Sequence, residues 1–149
     1  MTINFDDVKV GDEMPVYTSL PITRTHLVRY AGASGDFNPL HHDETFARAI
    51  GLQSVIAHGM LIMGIAGEAI TAWMDLKQVR RISTRFLGMT EPVNMDDFEN
   101  TKNRATITVS GRVTEKYEEN GEKRIRCEIL AQDGLGGRKL RGFFIVALP

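Results

Sequence analysis

The stretch GDFNPLHHD, at positions 35–43, concentrates groups that can carry protons. A carboxylate at Asp36 and an imidazole at His41 are suited to general acid–base chemistry near neutral pH. On a continuous helix their five-residue separation would turn them about 140° apart, and on a strand it would place them on opposite faces. The two side chains can therefore act on one molecule only if the backbone between them is interrupted.

Asn38 and Pro39 provide such an interruption. Proline fixes its own φ and disfavours a helical conformation at Asn38, whose side chain can stabilise a turn by bonding nearby backbone. A plainer interpretation is that GDFNP is only a loop and that His41 is an exposed residue in front of a helix. On composition alone the plain loop is preferred, because nothing in the residue types requires the two side chains to meet.

A metal site is a further alternative. Histidine and aspartate can bind zinc, and the candidate donors are His41, His42, Asp43 and His58. However, adjacent His41 and His42 point apart in most backbone geometries, and the sequence contains no HxxxH or HxH spacing. We therefore predict no metal ion.

The composition indicates a globular domain. The chain has 149 residues, of which 42% are hydrophobic and 25% charged, so one domain spanning 1–149 can bury a core. A net charge of -1 argues against a nucleic-acid partner, because phosphate binding requires a surplus of Lys and Arg. The single cysteine, Cys127, is compatible with a reducing compartment. The acidic start MTINFDDVKVGDEM lacks a cationic leader, so we expect a cytoplasmic location.

Helical patterns dominate the first half of the chain. Residues 25–33 form a candidate helix that Gly35 ends, and Asp43 is a good N-cap for a second helix that ends at Gly51. The segment GMLIMGIAGEAITAWM, at 59–74, is apolar on nearly every side, which predicts a central buried helix. It is short for a membrane span and contains Glu68, so no membrane association is expected. Its two glycines, Gly64 and Gly67, suggest that another backbone approaches closely.

Strand patterns dominate the second half. Apolar residues alternate with polar ones in the segments around 109–113 and 125–129, and Asn120-Gly121 between them is a strong hairpin signal. DGLGG, at 133–137, predicts a second turn, and RRISTRF adds a fourth strand. A polar loop is expected at 95–103. A long apolar helix followed by an antiparallel sheet predicts an α+β architecture.

The polar stretch also belongs to a longer ordered pattern. The chain resembles the MaoC-like, R-specific enoyl-thioester hydratases and dehydratases (hydratase 2), including single-domain bacterial dehydratase subunits from mycobacteria. The residues that carry the resemblance are Tyr30, Ser34, Gly35, Asp36, Asn38, Pro39 and His41, followed by His58-Gly59-Met60. VKVGDEM near the N-terminus and RFLGMTEPV later in the chain also resemble the family. The resemblance implies a hot-dog fold, in which a curved antiparallel sheet wraps a long central helix.

The resemblance also implies the roles of the site residues. Asp36 and His41 would form a catalytic dyad that holds water, and the backbone N–H of Gly59 would stabilise the thioester oxyanion. Asn38 would support the loop or the dyad. Weaker candidates for substrate contacts are Tyr30, His58 and Arg85, although Tyr30 is also a candidate core residue and His58 a structural one. Some family members carry a hydroxyl side chain at the position of Gly67.

The implied reaction is the reversible addition of water to a trans-2-enoyl thioester of coenzyme A or acyl carrier protein, giving a (3R)-3-hydroxyacyl thioester. It requires no cofactor or metal. Candidate contacts for coenzyme A phosphates are Arg80, Arg81, Arg85, Arg138, Lys139 and Arg141. We expect a homodimer joined through sheet edges, with a heterodimer of paralogues as an alternative. The competing functions are a hot-dog acyl thioesterase and a noncatalytic acyl-binding subunit.

Overall fold

The computed structural model describes residues 3–149. Met1 and Thr2 lie outside this range. They begin the segment that we expected to lack a cationic leader. Five antiparallel strands form one sheet in the order β1-β3-β4-β5-β2. The strands are β1 (Tyr17–Thr18), β2 (Val79–Phe86), β3 (Ile107–Glu119), β4 (Glu122–Asp133) and β5 (Arg138–Leu148).

Four helices accompany the sheet: α1 (Arg24–Ser34), α2 (Glu44–Ala49), α3 (Gly59–Trp73) and α4 (Phe98–Ala105). The predicted helix ends are confirmed. Gly35 follows α1 in the left-handed conformation, with φ of 73°, which glycine adopts without steric cost. Asp43 caps α2 by accepting a hydrogen bond from the Phe46 N–H, and Gly51 follows that helix with φ of 92°.

Helix α3 packs against β3, β4 and β5 and supplies much of the core. Its buried side chains are Ile62, Ile65, Ala66, Ala69 and Ile70. This arrangement confirms the predicted α+β class. The predicted close approach to Gly64 and Gly67 is wrong within this chain, because a Cβ built on either glycine meets no atom within 4 Å. Among residues 3–149, no helix is long and apolar enough to cross a membrane.

The β3–β4 hairpin closes where the sequence predicts it, with φ of 53° at Asn120 and 77° at Gly121. The polar loop predicted at 95–103 is wrong, because this segment forms a 3-10 turn, Met95–Asp97, and then α4. The helix packs Phe98 and Ala105 against the core, and local polar contacts add to its stability. The Thr101 hydroxyl donates to the Asp97 carbonyl at 2.8 Å, and Lys102 pairs with Glu99 one turn away.

Two glycines sit where strands approach too closely for a side chain. A Cβ on Gly142 would lie 2.0 Å from the Ser83 carbonyl oxygen, and one on Gly111 would lie 2.4 Å from the Glu128 carbonyl oxygen. Both residues belong to one row across the sheet, in which Gly111 pairs with Ile129 and Ile129 pairs with Gly142. Neither position therefore admits a larger residue without displacing the neighbouring strand.

Candidate active site

The backbone between α1 and α2 forms a series of turns, and hydrogen bonds to side chains stabilise them. The N–H of Asp36 donates to Ser34 Oγ at 3.2 Å, and the N–H of Asn38 donates to Asp36 Oδ1 at 3.2 Å. Asn38 Oδ1 then accepts from the Leu40 N–H at 3.2 Å and caps a 3-10 turn, Pro39–His41. Asn38 thus fixes the turn that carries His41, which supports its predicted positioning role.

The turn brings Asp36 and His41 together. His41 Nε2 lies 3.8 Å from Asp36 Oδ2, although five residues separate them in the sequence. His41 is only 9% exposed, whereas the Asp36 side chain is half exposed. The alternative interpretation, in which His41 is an exposed residue before a helix, is therefore wrong. The pair is open to solvent from the Asp36 side and closed behind His41.

A distant carbonyl group sets the tautomer of His41. His41 Nδ1 lies 2.6 Å from the carbonyl oxygen of Ile56. Because a carbonyl oxygen can only accept, Nδ1 carries the hydrogen, and a neutral His41 presents an unprotonated Nε2 to Asp36. The imidazole can therefore accept a proton on the side that faces the carboxylate.

His58 lies directly behind this pair. It is 1% exposed, and its ring stacks on that of His41 with centroids 3.7 Å apart and planes 22° apart. His58 Nε2 donates to the Asp36 carbonyl oxygen at 3.1 Å, and the Tyr30 ring lies 4.8 Å from the His58 ring. Burial lowers the pKa of His58, which favours its neutral form. Tyr30 is half-buried against this histidine.

Gly59 begins α3 beside the dyad. Within residues 3–149 its backbone N–H has no hydrogen-bond partner, as is usual at the first turn of a helix. A Cβ on Gly59 would lie 3.4 Å from the ring of Phe86, at the end of β2. The N–H is therefore available to an anionic atom, and the positive end of the helix dipole favours such an atom there.

Donor atoms of Asp36, His41 and His58 lie within 4.8 Å of one another, which raises the question of a metal. The geometry does not suit one. Imidazole lone pairs lie in the ring plane, and the two rings are stacked nearly parallel, so their lone pairs do not converge on one ion. One nitrogen of each ring is also engaged with a backbone carbonyl oxygen.

The sequence profile described as "MaoC like domain" matches residues 8–124, well over half of the chain. The chain belongs to the MaoC-like domain family. It is 30% identical over 112 residues to the "(R)-specific enoyl-CoA hydratase" of Rhodospirillum rubrum, a match that covers 75% of this chain and 73% of that protein. It is also 41% identical over 59 residues to the "Peroxisomal hydratase-dehydrogenase-epimerase" of Neurospora crassa. That match covers 40% of this chain but only 6% of the length of that protein.

The fold agrees with solved structures of the family. The chain is similar to the unliganded "R-Hydratase PhaJ1 from Pseudomonas aeruginosa", with a TM-score of 0.78 and 25% identity over 99% of this chain and 86% of that one. The hot-dog architecture expected from the motif is therefore confirmed: a long helix, α3, against a five-stranded antiparallel sheet.

An ion pair that the sequence did not reveal holds the MaoC-like site together. Arg24, at the start of α1, bonds to Glu44 at the start of α2 and to Ser54 Oγ at 3.0 Å. The hydrogen bond from Arg24 lowers the pKa of Glu44. The pair joins the two helices on either side of the dyad loop. Two further contributors, the Ile56 carbonyl and the Phe86 ring, also went unpredicted because neither residue type indicates such a role.

The remaining candidates lie elsewhere. Arg85 precedes Phe86 on β2, so its side chain points to the face of the sheet away from Gly59, and the structure does not bring it to the dyad. Lys139 is held by Asp133 at 3.1 Å and by the Met89 carbonyl at 2.8 Å. Arg80 pairs with Glu122 at 2.7 Å. Gly67 is partly buried in the second half of α3, and the space at its Cβ position is open.

Proposed function

We propose that this chain catalyses the reversible, R-specific addition of water to trans-2-enoyl thioesters. The observation that carries the proposal is the convergence of Asp36 Oδ2 and His41 Nε2, 3.8 Å apart, beside the free N–H of Gly59. One water molecule can bridge two acceptors at this separation with hydrogen bonds of ordinary length. Names of family members, such as "(R)-specific enoyl-CoA hydratase", support the same reaction class.

The two hydrogen bonds that the bridging water donates would orient it. Both Asp36 and the neutral His41 accept hydrogen bonds at the atoms that face each other, so the water directs both of its hydrogens toward the protein. Its lone pair then points away from the dyad, toward a bound substrate. This orientation makes the water a nucleophile placed for attack on C3 of the enoyl group.

Proton transfer can be completed within the dyad. As the C3–O bond forms, His41 Nε2 accepts a proton from the water, and the π electrons of the C2–C3 bond move to the thioester oxygen as an enolate. The enolate then collapses, and C2 takes a proton from the dyad, which returns the site to its starting state. The net change is addition of one H and one OH, and the reverse sequence dehydrates the product.

The Gly59 N–H would stabilise the enolate oxygen. Negative charge develops there only as water adds, so a donor fixed at the helix start favours the transition state over the bound substrate. The absence of a Cβ at this position lets the Phe86 ring pack closely against the start of α3. In this role Gly59 acts entirely through its backbone.

The carrier of the acyl group is coenzyme A or acyl carrier protein. Tyr30 and Phe86 are proposed to border the acyl group, because both lie against residues of the site. We also propose a homodimer formed through β2, since β2 is an eight-residue edge strand whose outer side is unpaired within residues 3–149. A heterodimer with a related chain would use the same edge. The cytoplasmic location and the absence of a cofactor stay predictions.

The reaction is tested by following the conjugated thioester absorbance of purified protein with short and long enoyl-CoA substrates. We expect loss of absorbance with wild type, and a decrease in kcat of at least about 100-fold for Asp36→Asn and for His41→Ala. His42→Ala is the matched control, because it removes a neighbouring histidine that points to the Phe37 carbonyl instead of the dyad. Full activity in both dyad variants would refute the proposal.

Product analysis separates the competing functions. Chiral chromatography should find the 3R alcohol, and an S product would contradict the proposed stereochemistry. A thiol reagent should detect no coenzyme A release. Release of free thiol without loss of the double bond would indicate a thioesterase, and turnover only after a related chain is added would indicate a subunit of a heterodimer.

A further inference from the structure

The outer face of the sheet carries an unusual concentration of arginine around β2 and β5. Thr84 and Phe86 point inward, since Thr84 Oγ1 donates to Met63 Sδ of α3 and Phe86 covers Gly59. Strand alternation therefore directs Ser83 and Arg85 outward. On this outer face Arg85 lies directly opposite Arg141, and Arg141 lies opposite Leu130 on the next strand.

The pair Arg85–Arg141 is electrostatically unfavourable as it stands. Like charges directly opposite each other on neighbouring strands destabilise a sheet. Among residues 3–149, neither guanidinium has a carboxylate oxygen within 4.0 Å. Arg112, by contrast, lies opposite a residue of opposite charge, Glu128, in the strand register. A bound anion is a direct way to stabilise the uncompensated pair.

These two arginines border a groove of about 840 Å³, which is larger than the other cavity described, of about 380 Å³. Five arginines line the groove, and Glu13 and Glu128 are its only carboxylates among the described residues. Arg126 covers the Phe143 ring on its floor, 3.5 Å from the ring centroid. The groove is therefore cationic in a chain whose net charge is -1.

We propose that this groove binds the diphosphate group of a small molecule. Arginine presents a planar pair of N–H donors that matches phosphate oxygens, and two arginines on facing strands can each hold one phosphate. The volume falls in the range of small-molecule sites. A protein partner would instead require contact over a much larger surface, so a compact phosphoanion fits the recess better than an acidic protein does.

The groove is distinct from the dyad. Arg85 and Arg141 point away from the face of the sheet that meets Gly59, and Asp36, His41 and Gly59 do not line the groove. Diphosphate binding can therefore be tested separately from the hydratase reaction. The diphosphate could belong to a nucleotide or to the coenzyme A part of a thioester, and competition measurements distinguish these two sources.

Calorimetric titration of the full chain with pyrophosphate tests the proposal. We expect saturable binding that weakens at least about tenfold in the double variant Arg85→Gln/Arg141→Gln, since charged hydrogen bonds are lost. The charge-matched control is Arg29→Gln/Arg48→Gln, two exposed arginines outside the groove, which should bind as wild type does. Displacement of pyrophosphate by coenzyme A would assign the site to the thioester carrier, and displacement only by ADP would assign it to another nucleotide.

A stability measurement supplies a second readout. In phosphate-free buffer the groove double variant should have a higher Tm than wild type, because the like-charge pair is removed. Pyrophosphate should raise the Tm of wild type and not that of the variant. Equal pyrophosphate affinity in wild type and the groove variant would overturn the proposal. So would binding of a polyglutamate peptide together with no binding of pyrophosphate.

Discussion

His58 stacks on His41 with ring centroids 3.7 Å apart, while its Nε2 donates to the carbonyl oxygen of Asp36. One buried imidazole thus contacts both members of the dyad, through a ring face on one side and a hydrogen bond on the other. Two charged imidazoles at this separation would repel strongly, and burial lowers the pKa of His58. A neutral His58 behind the dyad leaves His41 free to take the proton in the proposed reaction.

The first prediction separates the two contacts of His58. His58→Phe retains an aromatic ring for stacking and removes the donor to Asp36, whereas His58→Gln retains an N–H donor at a similar reach and removes the ring. If the hydrogen bond positions Asp36, His58→Phe should lower kcat about tenfold or more with little change in KM. His58→Gln should recover part of that loss. Equal kcat values in the two variants would show that the hydrogen bond does not position the dyad.

The second prediction concerns the pH dependence of stability. Because the pKa of His58 is lowered by folding, the unfolded chain binds more protons than the folded chain at pH values just below 6.5, the ordinary pKa of histidine. The contribution of His58 therefore favours folding above that pH and is lost as the pH falls through 6.5. Urea denaturation between about pH 7.5 and about pH 5.5 should show a steeper loss of unfolding free energy in wild type than in His58→Phe. The same pH dependence of unfolding free energy in both proteins would contradict a lowered pKa of His58.

The third prediction concerns Asn38, whose side chain caps the turn that carries His41. Asn38→Ala removes the acceptor and should lower the unfolding free energy by about 1 kcal/mol. We expect kcat to fall by a larger factor than the equilibrium constant for folding. Asn38→Ser is the control, because serine is also a good capping residue. Steady-state kinetics and urea denaturation measured on both variants check this. Asn38→Ala with wild-type kcat would remove the positioning role.

The fourth prediction concerns the close approach of β2 and β5 at Gly142. Gly142→Ala places a Cβ 2.0 Å from the Ser83 carbonyl oxygen, so the strands must separate, and we expect a loss of about 3 kcal/mol in unfolding free energy. Gly32→Ala is the matched control, because its Cβ meets no atom within 4 Å and the residue lies in helix α1. That change should stabilise the chain slightly. A neutral Gly142→Ala would mean that the strands are not closely apposed there.

The fifth prediction concerns Cys127. Its side chain is fully buried in the core, and burial raises the pKa of the thiol to about 12. Reaction requires the thiolate, so the native protein should not react with a disulfide reagent at about pH 8, whereas the urea-unfolded chain should react fully. Spectrophotometric thiol counting in the two states provides the measurement. Rapid labelling of the native chain would show that the core opens readily.

Local signals were enough to predict most of the fold and the interruption between Asp36 and His41, whereas the pairing of these two side chains was expected only from the family resemblance. Pro39 breaks regular structure between Asp36 and His41, and the capping residues Gly35 and Asp43 mark the helix ends on either side. The hairpin at Asn120-Gly121 also follows from residue type alone. In each case neighbouring residues determine the backbone conformation, so the sequence contains the information in a short window.

Other features depend on residues far apart in the chain. The Ile56 carbonyl fixes the tautomer of His41 through a backbone atom, which every residue type possesses. The Phe86 ring reaches Gly59 only because β2 returns to the start of α3. Helix α4 was missed because its apolar face consists of only Phe98 and Ala105 in an otherwise polar segment. Contacts of these kinds leave no periodic pattern to detect.

The two edges of the sheet differ in length, with eight residues in β2 and two in β1. Strand addition needs a run of free backbone groups, so within residues 3–149 only the β2 side has a regular strand long enough to accept another sheet. In the proposed homodimer, two copies would meet through β2 about a twofold axis, and each would use the one such edge among its described residues. Growth would then stop at the pair, so the same asymmetry that permits assembly would also prevent open-ended addition of strands.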